Sequence, residues 1–310
     1  MSGPMRTDLH QHLLPEPLIG ALARRSAAPQ VVGSGPTLRL ELAGEPLSAL
    51  QARDHDPAAR AAQAEREAID RIVVSLSTAL GIEALPADEA RPLVDAFNHG
   101  ILELGGPFEL WGAALTADDV DALLDAGARG ITLPALALVD GRAEALLERL
   151  EARGAPLFVH PGPATERSGD EAPGRGRGAD APSWWPGMTD YVAQMSAAWH
   201  AWAAFGRARH PRLPVVFAML AGLAPLHAER LAARGGPAEA IHDPLVWFDS
   251  SSYGARTLDS MLRLVGVDRL VHGSDRPVIA AAAPSQFGDA VEYALTTVNP
   301  QRALGVELVA

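Results

Sequence analysis

The sequence contains no cysteine. Disulfides and thiolate metal sites are therefore excluded, and any bound metal must use histidine and carboxylate ligands. The sequence also has no run of about 20 apolar residues, so it predicts no membrane-spanning helix. The segment 1–6 lacks the apolar core of a signal peptide, which makes the cytoplasm the expected location.

The chain has little positive charge. Its formal net charge is -12, and the basic residues form no cluster beyond Arg175 and Arg177. This balance argues against nucleic acid or an anionic membrane as the main partner and leaves a small-molecule substrate as the expected one. A hydrophobic fraction of 48% is ample for a large core.

Short β-rich segments alternate with longer amphipathic helical patterns along the whole chain. Eight strands, each followed by a helix-length segment, predict an α/β fold of the (β/α)₈ barrel type. A doubly wound sheet is the alternative, but it would need a glycine-rich phosphate turn after the first strand, and none is present. The predicted strands are Met5–His10, Arg71–Ser77, Phe108–Leu115, Gly130–Leu133, Pro156–His160, Pro214–Met219, Val246–Ser250 and Arg269–His272.

Two segments interrupt the alternation within what we expect to be a single domain, 1–310. Residues 27–46 predict a small β-hairpin inserted after the first strand. Residues 161–186, rich in glycine, proline and charge, predict a long loop after the fifth strand. A loop of this length is usually functional or disordered, and we interpret it as an active-site lid.

Polar side chains lie at several of the predicted strand ends. His10 and His12 share one side of the first strand because side chains repeat every second residue. His160 ends the fifth strand, and Asp275 follows the eighth. Each has an ordinary alternative, such as a helix cap for Asp275. Together at the barrel mouth they predict a site for one divalent metal, Zn²⁺ first, with Mn²⁺ or Fe²⁺ as alternatives.

These residues give the chain a resemblance to the amidohydrolase superfamily, in the branch that includes 2-amino-3-carboxymuconate-6-semialdehyde decarboxylase. The similarity covers nearly the whole chain, and its motifs are specific in combination. It implies that His10, His12, His160 and Asp275 are the metal ligands, that Asp275 is also the catalytic base, and that the protein is a homodimer. The matching segments are 8–12, 60–70, 158–161, 209–213, 273–277 and 299–300.

The sequence departs from this family at one position. The sixth strand of the family ends in histidine, within a pattern like HGGG, whereas Met219 stands here. A thioether neither takes a proton at neutral pH nor donates a hydrogen bond. Asp275 would then act alone as the base, or His227 or His272 would substitute, or the barrel would bind a metal with little turnover.

Other site residues are suggested more weakly. Arg60 and Arg276 are candidates for holding a substrate carboxylate, and Trp184 and Trp185 are candidates for an aromatic wall beside the long loop. The resemblance implies metal-dependent hydrolysis of a small cyclic or aromatic amide, lactone or carboxylate. The alternative is non-oxidative decarboxylation of an aromatic or muconate-type acid, and hydrolysis is favoured modestly because His10 is retained.

Overall fold

The computed structural model describes residues 5–164, 182–279 and 283–305. Eight parallel strands form a nearly closed barrel, surrounded by helices, as the sequence predicts. In order around the barrel they are β1 (Thr7–Gln11), β5 (Arg71–Ser75), β6 (Phe108–Ala113), β7 (Gly130–Pro134), β8 (Leu157–His160), β9 (Val215–Phe217), β10 (Val246–Asp249) and β11 (Leu270–Val271).

The barrel is closed by main-chain hydrogen bonds between β1 and the segment after β11. The amide of Leu9 donates to the carbonyl of His272 at 2.9 Å, and the amide of Asp275 donates to the carbonyl of His10 at 2.9 Å. The strands are buried on both faces, as expected where helices cover a parallel sheet.

The helices are defined by local signals that the sequence carries. Thr116 and Asp119 form a reciprocal capping box at the start of one helix, and Gly154, at φ +63°, ends another. The helices are α1 (Glu16–Ala23), α2 (Pro57–Arg66), α3 (Ala87–Leu102), α4 (Ala117–Asp125), α5 (Leu136–Val139), α6 (Glu144–Arg153), α7 (Val192–Ala201), α8 (Arg207–Arg209), α9 (Ala228–Ala232), α10 (Ala255–Val265), α11 (Asp289–Tyr293) and α12 (Asn299–Ala303). None of the helices in these ranges is long and apolar enough to cross a bilayer.

The insert after α1 is an antiparallel sheet of three strands, β2 (Gln30–Val32), β3 (Arg39–Glu41) and β4 (Ser48–Ala49). The predicted hairpin, 27–46, therefore omits the third strand. That strand has only two residues, too few for an alternating pattern to be visible in the sequence. Of the predicted lid, 161–186, residues 165–181 lie outside the described residues.

The chain after β9 follows an uncommon path. Met219, Leu220, Ala221, Gly222 and Leu223 all have φ between +48° and +64°, a left-handed conformation that costs roughly 1–2 kcal/mol for each non-glycine residue. At Gly222 an added Cβ would lie 2.5 Å from the carbonyl oxygen of Val192, so α7 packs directly against this turn. The turn persists because the surrounding packing fixes it.

Replacing Gly222 with alanine tests this packing. We expect G222A to lose about 3 kcal/mol of unfolding free energy, because the new Cβ adds a main-chain clash to the left-handed strain. Gly235 provides the control, since it has φ +76° and open space around its Cβ position. Denaturant unfolding should show a loss of only about 1 kcal/mol for G235A, and equal losses in the two variants would contradict the clash.

A second prediction concerns Glu83, in the turn after β5. Both of its carboxylate oxygens are buried, and within the described part of the chain no other residue donates a hydrogen bond to them. Burial raises the pKa of Glu83 from 4.5 to about 7, against the lowering effect of a hydrogen bond from its own backbone. The raised pKa belongs to the folded state, whereas the unfolded chain keeps the ordinary value of about 4.5. The free energy of unfolding therefore falls as the pH rises from about 4.5 to above 7.

The variant E83Q mimics the protonated acid and removes this dependence. We expect it to be as stable as the wild type near pH 4.5 and more stable at pH 8, by up to about 3 kcal/mol. Denaturant unfolding at both values measures the difference. The exposed Glu65 on α2 gives the control variant E65Q. A constant difference between wild type and E83Q across this range would refute the assignment.

Candidate metal centre

The four predicted ligands lie together at the carboxyl ends of the barrel strands. His10 lies on β1, His12 directly follows its last residue, His160 is the last residue of β8, and Asp275 follows β11. All four are buried, and one ligand atom from each lies within 4.8 Å of the others. The barrel thus brings together residues from three distant parts of the sequence, as expected for the functional face of this fold.

The ring nitrogens of the three histidines converge on one point. The Nε2 atom of His12 lies 3.1 Å from that of His10 and 3.2 Å from that of His160. The Oδ1 atom of Asp275 lies 3.3 Å from Nε2 of His12 and 3.7 Å from Nε2 of His10. Nitrogen ligands about 2.0–2.1 Å from a tetrahedral zinc ion are about 3.4 Å apart, so these spacings suit a first coordination shell.

The other nitrogen of each ring faces a hydrogen-bond acceptor. Nδ1 of His10 lies 2.6 Å from Oδ2 of Asp249, and Nδ1 of His12 lies 3.0 Å from the carbonyl of Ser75. Nδ1 of His160 lies 3.1 Å from the carbonyl of Pro161. These acceptors require the proton on Nδ1, which leaves a lone pair on each converging Nε2 atom. Three lone pairs and a carboxylate facing one point can hold a metal ion.

Asp249 is a site residue that the sequence analysis did not identify. It is fully buried at the end of β10, and its Oδ1 atom accepts a hydrogen bond from the amide of Ser251 at 2.5 Å. It thereby fixes the orientation of His10, as a carboxylate behind a metal-ligating histidine does. Asp249 could have been identified from the sequence, because it is a polar residue at the end of a strand. The same criterion identified His160.

Three members of the cluster, His10, His160 and Asp275, have shifted pKa values. Burial lowers the pKa of His10, but the charge and hydrogen bond of Asp249 outweigh burial and raise it. Burial and the two neighbouring histidines lower the pKa of His160 well below its usual value. Burial raises the pKa of Asp275, but the histidines outweigh it and lower the pKa to about 2. Asp275 is therefore an anion at rest.

Backbone strain is concentrated around this cluster. Asp275 and Ser252 have φ of +57° and +67°, and the hydroxyl of Ser252 donates to Oδ2 of Asp275 at 2.9 Å. Met219 begins the left-handed turn, and its amide donates to the hydroxyl of Ser251 at 3.2 Å. The family pattern has glycines in this turn, whereas here two of its positions are Leu220 and Ala221.

The two arginines suggested by the sequence already have protein partners. Arg60 donates to Gln11 and to the carbonyls of His12, Asp54 and Arg276. Arg276 makes a two-point ion pair with Glu67, at 2.5 and 2.9 Å. A role for either in substrate binding stays a prediction.

The remaining suggested residues lie outside the metal cluster. His227 is exposed ahead of α9. A Cβ on Gly273 would lie 2.8 Å from His10 and Asp249, so position 273 faces the site, whereas the buried His272 is not part of the cluster. Trp184 is exposed and contacts Trp185, with ring centroids 5.4 Å apart. Their role as a substrate wall stays a prediction.

Comparisons with solved structures agree with this architecture. The chain is similar to IDCase from Metarhizium anisopliae, with 19% identity, 99% of each chain covered and a TM-score of 0.79. It is similar to 5-carboxyvanillate decarboxylase from Sphingomonas paucimobilis, with 15% identity, 98% of this chain and 100% of that chain covered, and a TM-score of 0.71.

A third similar structure holds a metal ion. It is a variant of 5-carboxyvanillate decarboxylase from Novosphingobium aromaticivorans with bound manganese, at 14% identity, 98% coverage of each chain and a TM-score of 0.70. At these identities the three structures establish the fold alone. No curated protein sequence matches the chain. The amidohydrolase family model matches residues 7–307, and the chain therefore belongs to the amidohydrolase family.

Proposed function

We propose that the protein is a metal-dependent decarboxylase of small aromatic carboxylic acids. The observation that carries this proposal is a buried cluster of three histidines and the carboxylate of Asp275, with Met219 at the position where the family resemblance implies a further histidine. Decarboxylation needs a group that delivers one proton to carbon, a role that Asp275 can fill. The sequence favoured hydrolysis, but the named decarboxylases among the similar structures support the alternative better.

The metal would be held by His10, His12, His160 and Asp275. The ligand types suit Zn²⁺, and manganese in a similar structure makes Mn²⁺ the second candidate. A divalent ion in such a site supplies a Lewis acid that stabilises negative charge on a substrate oxygen. The ligand set does not depend on position 219, so the substitution leaves metal binding intact.

Asp275 would carry the proton. The substrate would bind as its carboxylate, and Asp275, an anion at rest, would take up one proton from solvent and deliver it to the ring carbon that bears the carboxylate. The bond between that carbon and the carboxylate then breaks, CO₂ leaves, and the electron pair of the broken bond restores the aromatic ring. The net reaction converts the carboxylate and one proton into the arene and CO₂. Ser252, whose hydroxyl donates to Oδ2, holds the carboxyl group in place during both transfers.

The reaction is tested by assaying metal-loaded protein on a panel of hydroxybenzoates and a panel of lactones. We expect CO₂ release from at least one hydroxybenzoate and no ring opening of the lactones. The variant D275N should retain the metal and lose at least about 10²-fold in rate, because the proton carrier is gone. The variant D125N is the control, since Asp125 pairs with Arg153 on the surface.

Two results would reverse this proposal. Lactone opening without CO₂ release would establish hydrolysis as the activity. No turnover by the wild type, together with activity in M219H, would identify a barrel that binds a metal but has lost catalysis. The homodimer and the cytoplasmic location predicted from the sequence remain predictions that gel filtration and fractionation can test.

The ligand assignment is tested by the variant D249N. The amide of Ser251 still requires an acceptor, so the NH₂ group of the new asparagine faces His10. Nδ1 of His10 must then accept, which moves its proton to Nε2 and blocks the lone pair toward the metal. We expect a 10–100-fold loss of metal affinity, measured by competition with a chelator.

The variant D243N serves as its control, because Asp243 pairs with Arg207, outside the ligand cluster. Both variants should retain the wild-type circular dichroism spectrum. An unchanged metal affinity in D249N would show that His10 is not a ligand through Nε2.

A further inference from the structure

A polar contact joins the insert to the segment that precedes α7. The hydroxyl of Tyr191 donates a hydrogen bond to Oε1 of Glu45. Glu45 belongs to the insert that follows β1, between β3 and β4, and Tyr191 directly precedes α7. The two residues are 146 positions apart in the sequence.

Barrel order places the Tyr191 end of this contact across the barrel from β1. In the sheet, β8 is the fifth strand and β9 the sixth counted from β1, so both lie across the barrel from it. The start of α7 is anchored there. Gln194 accepts a hydrogen bond from the amide of Gly162 at 2.7 Å, just after β8, and donates to the carbonyl of Pro163 at 2.8 Å. Val192 packs against Gly222, just after β9.

The electrostatics agree with this placement. Burial raises the pKa of Tyr191, and the negative charges of Glu45, Asp190 and Asp275 raise it further. Tyr191 is thus within electrostatic reach of the ligand Asp275. Burial also raises the pKa of Glu45, against the lowering effect of the Tyr191 hydrogen bond. The pair is therefore poorly solvated, and the charge of Asp275 reaches its tyrosine.

Glu45 retains an unused acceptor. Tyr191 occupies its Oε1 atom, and within residues 5–164, 182–279 and 283–305 no hydrogen bond uses its Oε2 atom. Tyr191 fixes the carboxyl group, so Oε2 has a defined orientation. A planar substrate whose carboxylate faces the metal ligands would turn its opposite edge toward this atom.

We infer that Glu45 and Tyr191 form the roof of the substrate site, an inference that rests on the proposed function. Oε2 of Glu45 accepts a hydrogen bond from a hydroxyl or N–H group of the substrate. This group lies on the substrate edge that is remote from the metal ligands. Glu45 is then a specificity-determining residue and Tyr191 its positioning residue. The substrate class narrows to aromatic acids that carry such a donor.

The probes are the three hydroxybenzoates and the three matching fluorobenzoates, in which fluorine replaces the donor at little change in size. Dissociation constants are measured by calorimetry on metal-loaded protein, and CO₂ release is recorded in the same samples. For the wild type, at least one hydroxybenzoate should bind about tenfold or more tightly than its fluorobenzoate, the range of a hydrogen bond to a charged acceptor.

The variants separate the roles of the two residues. The variant E45L should reduce this ratio to within about twofold, whereas E45Q, which keeps an acceptor oxygen, should retain most of it. Y191F should reduce it partly, because the carboxyl group is no longer fixed. E41L is the matched control, since Glu41 lies on the same insert but bonds Gln30 at 2.6 Å; its ratio should equal that of the wild type.

The outcomes distinguish this inference from the proposed reaction. A wild-type ratio near one for all three pairs, or the same ratio in wild type and E45L, overturns the inference even where CO₂ is released. A ratio that depends on Glu45 without CO₂ release from any probe supports the roof and counts against decarboxylation.

Discussion

The pairing of the first strand with the segment that follows the last one is the constraint on which the site depends. It joins residues at opposite ends of the sequence, Asp8 and Ser274, which are 266 positions apart. The amide of Ser274 donates to Oδ1 of Asp8 at 2.9 Å, and Gln11 donates to Oδ2 at 2.6 Å. This buried carboxylate therefore fastens the segment that carries Asp275 to the strand that carries the histidines.

Arg60 extends this connection to a third element. From α2 it bonds the side chain of Gln11 and the carbonyls of His12 and Arg276. A buried guanidinium is tolerated only when its donors are satisfied, and here carbonyl and amide oxygens satisfy them. Lysine could not reproduce the planar fork, so the position requires arginine for geometry as well as charge. The metal ligands are thus held by a continuous polar network beneath them.

Much of the fold, and the clustering of the three histidines with Asp275, could be predicted from the sequence, for a physical reason. Strands buried on both faces are short apolar runs, and polar residues that end such runs are visible because they break the pattern. His160 and Asp275 were found in this way. Asp249 meets the same criterion but ends a strand beside Ser250 and Ser251, which look like an ordinary turn. The two-residue strand β4 gives no periodic signal at all.

The roof could not be predicted, because neither Glu45 nor Tyr191 has a local pattern that sets it apart. Their contact follows from barrel closure, the length of the insert and the anchoring of α7, none of which is a property of nearby residues. The left-handed turn is similar. Leu220 and Ala221 predict ordinary helix or strand by propensity, and only the packing of α7 against Gly222 imposes their conformation.

The distance along the chain between Asp8 and Ser274 has a consequence for how the protein matures. During synthesis, the two histidines of β1 emerge from the ribosome long before Asp275 and its supporting backbone. An ion captured early would meet two imidazoles on an unpaired strand, without the carboxylate or the third ring. A complete set of four candidate ligands therefore exists only once translation is nearly finished, so an ion that needs all four would enter the finished chain.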